Sequence, residues 1–257
     1  MNQTALITGA SGGIGWEIAK LLGERGYNLI VVARSKDKLM EFKKLFAKHS
    51  ITIDVIPMDL TEPDAAKKLF IKTTELERSV DVLVNNAGFG ASGDFDKIAY
   101  ERQMEMIQLN ITTLTALCHF YLPSMKQKQS GHIINIASTA AFQAGPFMGV
   151  YFATKAYVLS FTEALAEELK GSGVYATAIC PGPTTSGFQA AADMVHAKLF
   201  NKKLPSSLEV AQFTIDAMER KKVVAVHGTL NNALVLTGKL SPRALTRKIT
   251  KTLIQAK

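Results

Sequence analysis

The chain has 257 residues, 47% hydrophobic and 20% charged, a composition that excludes disordered and fibrous classes and suffices for one large core, commonly a single domain in an α/β chain of this length. Its net charge of +8 is concentrated, because nine Lys or Arg and no acidic residue follow Glu219, which leaves the rest close to neutral. No zinc-finger spacing, RNP-like motif or basic heptad region accompanies that charge, so nucleic acid is not the expected partner.

Short β-branched runs alternate with amphipathic stretches along the chain, the signature of βα units around a parallel sheet covered on both faces. The first run, TALIT (4–8), leads into TGASGGIG, from Thr8 to Gly15, and a helix over 13–25. Gly9, Gly13 and Gly15 there let the backbone approach a pyrophosphate, whose charge meets free N–H groups and the positive end of the helix. NLIVVA (28–33) follows and ends in Arg34 and Ser35. An NAD enzyme usually carries an acidic residue there for the ribose 2′-OH, whereas a guanidinium suits a 2′-phosphate; the other reading of Arg34 is a solvated side chain at a strand end. After a helix over 36–48, TIDVIP (52–57) runs into Asp59 and Leu60. Asp59 is open to two readings, an acceptor for the adenine amino group or a cap for the helix over 62–78.

VDVLVN (80–85) enters the segment NNAG, Asn85 to Gly88, and a long helix over 97–126. Asn110 stands in its middle, although Asn favours caps and turns over helix interiors. HIINIA (132–137) is followed by Ser138, and YFATK opens the helix over 151–170. Tyr151 and Lys155 lie four apart, so they share one helix face. VYATAI (174–179) leads to Pro181, Gly182 and Thr184. A further insertion, 184–205, a helix over 206–220 and the run VVAV (223–226) precede the tail over 239–257.

In this order, TGASGGIG, NNAG, a mid-helix Asn110, Ser138, YFATK and the pair Pro181 and Gly182 resemble the short-chain dehydrogenase/reductase family over about residues 4–185. The resemblance implies an α/β fold, a single Rossmann-like doubly wound domain over 1–257 with seven parallel strands flanked by helices. It also implies a Ser-Tyr-Lys-Asn tetrad. Tyr151 would donate or accept the proton, its anion favoured by Lys155 together with oxidised nicotinamide. Lys155 would also hold the nicotinamide ribose, and Ser138 would donate to the substrate oxygen. Asn110 would bend its helix and hold a water that relays protons towards Lys155; the alternative is pairing with a neighbouring backbone group. Ser11 and Ile14 join the glycines, and Ser35 and Leu60 join Arg34 and Asp59, in the cofactor-binding set. Asn86, Ala87 and Gly88 would line the adenosine side, while Pro181, Gly182 and Thr184 close over the nicotinamide. The expected activity is NADP(H)-dependent interconversion of a carbonyl and an alcohol, with NADP(H) preferred over NAD(H) and a homodimer or homotetramer as the working form. The alternative is a catalytically idle nucleotide-binding regulator of the same fold.

Phe89, Phe142, Phe147, Met148, Phe188, Met194 and Phe200 are candidates for an apolar substrate wall, which favours an apolar or amphipathic substrate. The insertion is a candidate lid, and His196, Lys202 and Lys203 on it are open to two readings, a solvated face or contacts to an acidic substrate group. Cys118 and Cys180 lie in separate apolar segments without a CxxC or clustered His, so reduced buried thiols are expected and no metal site. The start MNQTALITG lacks a charged leader, and no apolar run approaches the roughly 18 residues of a spanning helix, so a cytoplasmic location is expected. In the tail, Leu245, Ile249, Leu253 and Ile254 repeat at helical spacing opposite basic residues. Such a helix lies on an anionic membrane surface, docks on another subunit or ends in solvent, and the sequence leaves these readings open.

Overall fold

The computed structural model describes residues 2–192 and 204–254, which leaves Met194, His196, Phe200, Lys202 and Lys203 outside the described residues. The seven apolar runs form seven strands: β1 (Thr4–Thr8), β2 (Asn28–Ala33), β3 (Ile53–Pro57), β4 (Val82–Asn85), β5 (Gly131–Ile136), β6 (Val174–Cys180) and β7 (Val224–Val226). They lie parallel in one sheet in the order β3-β2-β1-β4-β5-β6-β7. Successive side chains leave opposite faces: Leu6 packs into one core cluster, and Ala5 and Ile7 into the other. Helices α1 (Gly13–Glu24), α2 (Lys36–Leu45) and α8 (Ser207–Glu219) cover the face of Ala5 and Ile7, and a single turn, α7 (Phe188–Ala191), lies between β6 and α8 in the chain. Helices α3 (Ala65–Glu75), α5 (Leu114–Lys128) and α6 (Gly149–Glu168) cover the other.

After β3 the chain returns to the far side of β1 to add β4. The strand order therefore reverses between these two strands, and the connections at their carboxyl ends part to open a crevice. Cys118 and Cys180 are free and buried, and burial pushes both thiols up to about 12, so neither supplies thiolate near neutral pH.

Two segments depart from the sequence reading. The long helix is α4 (Tyr100–Ile107), which widens into a π-helical stretch over Gln108–Thr113 before continuing as α5. Asn110 lies in the widened stretch, a local π turn of a kind common in functional helices. The basic end of the chain forms two helices, α9 (Thr229–Leu240) and α10 (Arg243–Ile254), and the second folds back on the body. Thr250 and Ile254 are its buried contacts. They stand one turn apart on a stripe distinct from that of Leu245 and Ile249, and only packing could reveal it.

Candidate active site at the carboxyl ends of the central strands

The turn after β1 is braced from within. The Thr8 hydroxyl accepts the N–H groups of Asn86 and Ala87, each at 3.0 Å, and the Asn86 side-chain amide donates to the carbonyls of Thr8 (2.9 Å) and Gly9 (3.2 Å). Asn86 thus spends its amide on holding the turn. Gly9 has φ +68, and a Cβ at Gly15 would meet the Asn86 amide and stand 2.5 Å from the Gly9 carbonyl oxygen. Gly12, the N-cap of α1, brings no side chain to the first-turn N–H groups. A close-packed cradle opening a helix fits the pyrophosphate of a dinucleotide.

At the other wall, Lys155 donates to the Ile136 carbonyl at 2.7 Å and lies 5.9 Å from the centre of the Tyr151 ring. The Ser138 hydroxyl, at the end of β5, accepts the Ala140 N–H at 3.1 Å. It also interacts with Tyr151. The Asn110 amide donates to the Phe89 carbonyl and to the Thr154 hydroxyl, both at 3.0 Å, while its oxygen accepts the Phe89 N–H at 3.3 Å. Asn110 therefore pairs with backbone, tying the loop after β4 to α6.

Sequence reading expected the phenolate to be favoured by Lys155 together with oxidised nicotinamide. With the protein's own groups alone, burial pushes Tyr151 up to about 12 against the Ser138 hydrogen bond, and burial brings Lys155 down to about 8. A stability signature follows. Between about pH 8 and 10 the folded Lys155 is neutral while the unfolded one stays charged, so the unfolded state binds the extra proton and stability rises with pH. Relative to Lys155→Met, the wild type should gain about 2 kcal/mol across that window, read by thermal melts at both ends. A constant gap between the two would show that Lys155 is not buried as described.

One cavity of about 630 Å³ joins these walls. Gly9, Ser11, Gly13, Ile14, Asn86, Ala87 and Gly88 line it, together with Ser138, Tyr151, Lys155, Pro181, Gly182 and Thr184. Gly15 and Asn110 support the lining from behind. Arg34, Ser35, Asp59 and Leu60 are not brought to the lining. The Arg34 guanidinium is 76% exposed and 3.9 Å from the Asp59 carboxylate. Asp59 accepts the N–H and hydroxyl of Thr61, closing a turn, and it is not the cap of α3, whose N-cap is Asp64. Leu60 is buried in the core.

Of the apolar candidates, Met148 and Phe188 line the cavity, the Phe188 ring centre lying 5.2 Å from that of Tyr151. Phe147 lines a smaller neighbouring cavity of about 240 Å³. Phe89 and Phe142 line neither: the Arg102 guanidinium covers the first at 3.8 Å, and the Lys239 ammonium stands 5.2 Å from the second. Lining residues that sequence reading missed include Lys38, Phe152, Thr250, Leu253 and Ile254. The basic run after β2 was a signal for Lys38, and the apolar spacing of the tail marked Leu253 and Ile254 without telling what they touch, whereas nothing local pointed to Thr250. Among the described residues, no three His, Cys, Asp or Glu side chains are grouped to hold a metal.

A model of the short chain dehydrogenase family matches residues 3–195. The chain is a short-chain dehydrogenase. An oxidoreductase of Staphylococcus aureus is 31% identical over 225 residues, covering 83% of this chain and 96% of that relative. One from Staphylococcus saprophyticus is 32% identical over 227 residues, covering 88% and 95%. Among solved structures, a short-chain dehydrogenase from Sphingobium yanoikuyae in complex with NADPH superposes with a TM-score of 0.83 at 30% identity over 95% of both chains. The bulky-bulky ketone specific alcohol dehydrogenase from Comamonas testosteroni gives 0.79 at 30% identity over 93% of this chain and 92% of its own. This short-chain dehydrogenase is thus an oxidoreductase acting between CH–OH and carbonyl groups, with a fold that binds a nicotinamide dinucleotide.

Proposed function

We propose that this dehydrogenase reduces an apolar or amphipathic ketone, aldehyde or 3-oxoacyl compound, or runs the reverse oxidation, with NADP(H) preferred over NAD(H). The observation that carries this reading is the placement of Tyr151. Its buried phenol stands on the wall of a cavity whose other side is the glycine turn, with Ser138 beside it and Lys155 one helical turn on. The apolar share of the wall, with Met148, Phe152, Phe188 and Ile254, supports the substrate class.

Bound NADPH supplies the hydride. Ser138 donates a hydrogen bond to the carbonyl oxygen, where negative charge develops, and Tyr151 delivers the proton that completes the alcohol. A phenol held up to about 12 is protonated at neutral pH, the state that reduction requires. Oxidation needs the anion and is expected to gain from higher pH. Lys155 holds the ribose hydroxyls and contributes positive charge, while Asn110 fixes the loop after β4 against α6. Pro181, Gly182 and Thr184 would close over the nicotinamide, and Asn86, Ala87 and Gly88 over the adenosine side.

The NADP(H) preference rests on the cations after β2. Arg34 and Ser35 follow that strand, Lys38 reaches the cavity, and the carboxylate paired with Arg34 is Asp59, at 3.9 Å. Arg34→Asp combined with Lys38→Glu should move the NADPH-to-NADH ratio of kcat/KM by about 100-fold towards NADH, two charge-assisted contacts being lost. An unchanged ratio would remove both residues from cofactor selection. Tyr157, exposed on α6 with its ring stacked on the half-buried Phe161 at 5.8 Å, supports a homodimer or homotetramer built on α5 and α6. Reduced thiols and the absence of any described helix long and apolar enough to cross a membrane accord with work in the cytoplasm. The reaction itself is tested by a panel of carbonyl compounds, from small aldehydes to long-chain and steroid-like ketones, followed by NADPH absorbance. Turnover confined to small polar aldehydes would sink the substrate class, and none at all would sink the activity.

A further inference from the structure

The last two helices carry an apolar surface that the catalytic reading does not use. Leu230, Leu234, Leu236 and Leu240 of α9 are 59–81% exposed, and no residue of that helix is buried. On α10, Leu245 and Ile249 are 50% and 52% exposed, one turn apart on a single stripe. Contiguous exposed apolar side chains of this kind mark an interaction surface, whereas scattered ones need no explanation.

Charge narrows the partner. Arg243, Arg247 and Lys251 repeat every four residues along the other flank of α10, Lys239 and Lys248 add to them, and all five are exposed. No acidic residue follows Glu219 anywhere in the chain. A symmetric contact with a second copy would set these cations against their own equivalents, since both partners present one patch. An anionic surface meets them with opposite charge, and lipid takes up the leucines. We propose that α9 and α10 dock this dehydrogenase on an anionic lipid surface, with the leucines at the acyl boundary and the Lys and Arg side chains among the headgroups. No described helix is long and apolar enough to cross a membrane, so the contact proposed is in the plane of the interface.

The face adjoins the catalytic cavity. Leu253 continues the stripe of Leu245 and Ile249, is 43% exposed, and also lines the cavity, with Thr250 and Ile254 buried behind it. An apolar carbonyl compound dissolved in the lipid therefore meets a continuous apolar path along α10 to Tyr151. This second step rests on the proposed substrate class, whereas the docking does not.

Flotation of the full chain with phosphatidylglycerol/phosphatidylcholine vesicles, against phosphatidylcholine alone, tests the docking without substrate. Protein should float with the anionic vesicles and not with the neutral ones, and should be released by high salt. Each basic side chain removed should weaken binding roughly fivefold. Arg243→Glu with Arg247→Glu should therefore abolish it. Leu234→Ser with Leu240→Ser, which removes only exposed apolar surface, should weaken binding at least about tenfold. Neither pair lines the cavity, so both variants should keep wild-type turnover of a water-soluble ketone. A wild type that stays with the unbound fraction, or variants that float equally well, would overturn the proposal. So would a wild-type oligomer that the leucine variant converts to monomer without any vesicle binding, because the face would then be a protein interface. Failure of the ketone assay alone would count against the proposed activity and leave the vesicle result standing.

Discussion

Tyr151→Phe is expected to lower carbonyl reduction by about 10²- to 10⁴-fold, the contribution of one positioned acid, while NADPH binds within about threefold of wild type. The change removes one oxygen from a buried ring that packs on Phe152 and Phe188, so the wall keeps its shape. It also frees the Ser138 hydroxyl from its interaction with the phenol. Stopped-flow turnover beside a fluorescence titration of NADPH separates chemistry from binding. A nucleotide-binding regulator would lose nothing measurable, and a variant reducing ketones at the wild-type rate would take the proton-transfer role away from Tyr151.

Gly15→Ala is expected to weaken NADPH binding by at least about 100-fold and to lower the melting temperature by about 5 °C, as overpacking against backbone does. The new Cβ would meet the Asn86 amide and the Gly9 carbonyl oxygen, atoms already committed to each other by a 3.2 Å hydrogen bond. The turn must open to accept it, and opening misplaces every N–H aimed at the pyrophosphate. Gly12→Ala is the control for stability: its Cβ meets nothing within 4 Å, and its φ of 172 is extended backbone open to any residue. Calorimetry and NADPH titration read both variants. Wild-type affinity in Gly15→Ala would mean that the dinucleotide is held elsewhere.

What the sequence determined by itself is whatever depends on neighbours in the chain. The β-branched runs mark seven strands because successive side chains of each must be apolar when both faces are covered, and the sheet has all seven. Gly9, Gly13 and Gly15 were legible because a strand-to-helix turn has a short spacing of its own, and Tyr151 and Lys155 because four residues make one turn of helix. Asn110 announced itself as a residue misplaced in a helix interior, and the helix is π there.

Tertiary structure alone decided what crosses between elements. It turned the Asn86 amide towards Thr8 and Gly9 and left Arg34 outside a cavity that Lys38 enters. It covered Phe89 and Phe142 with cations. It also laid α10 against the cavity, so that a tail whose sequence suits a membrane surface, another subunit or solvent supplies Thr250, Leu253 and Ile254 to the site. Periodicity states which side of a helix is apolar; only the packed chain states what that side touches, because contacts between distant residues follow from the path of the crossovers.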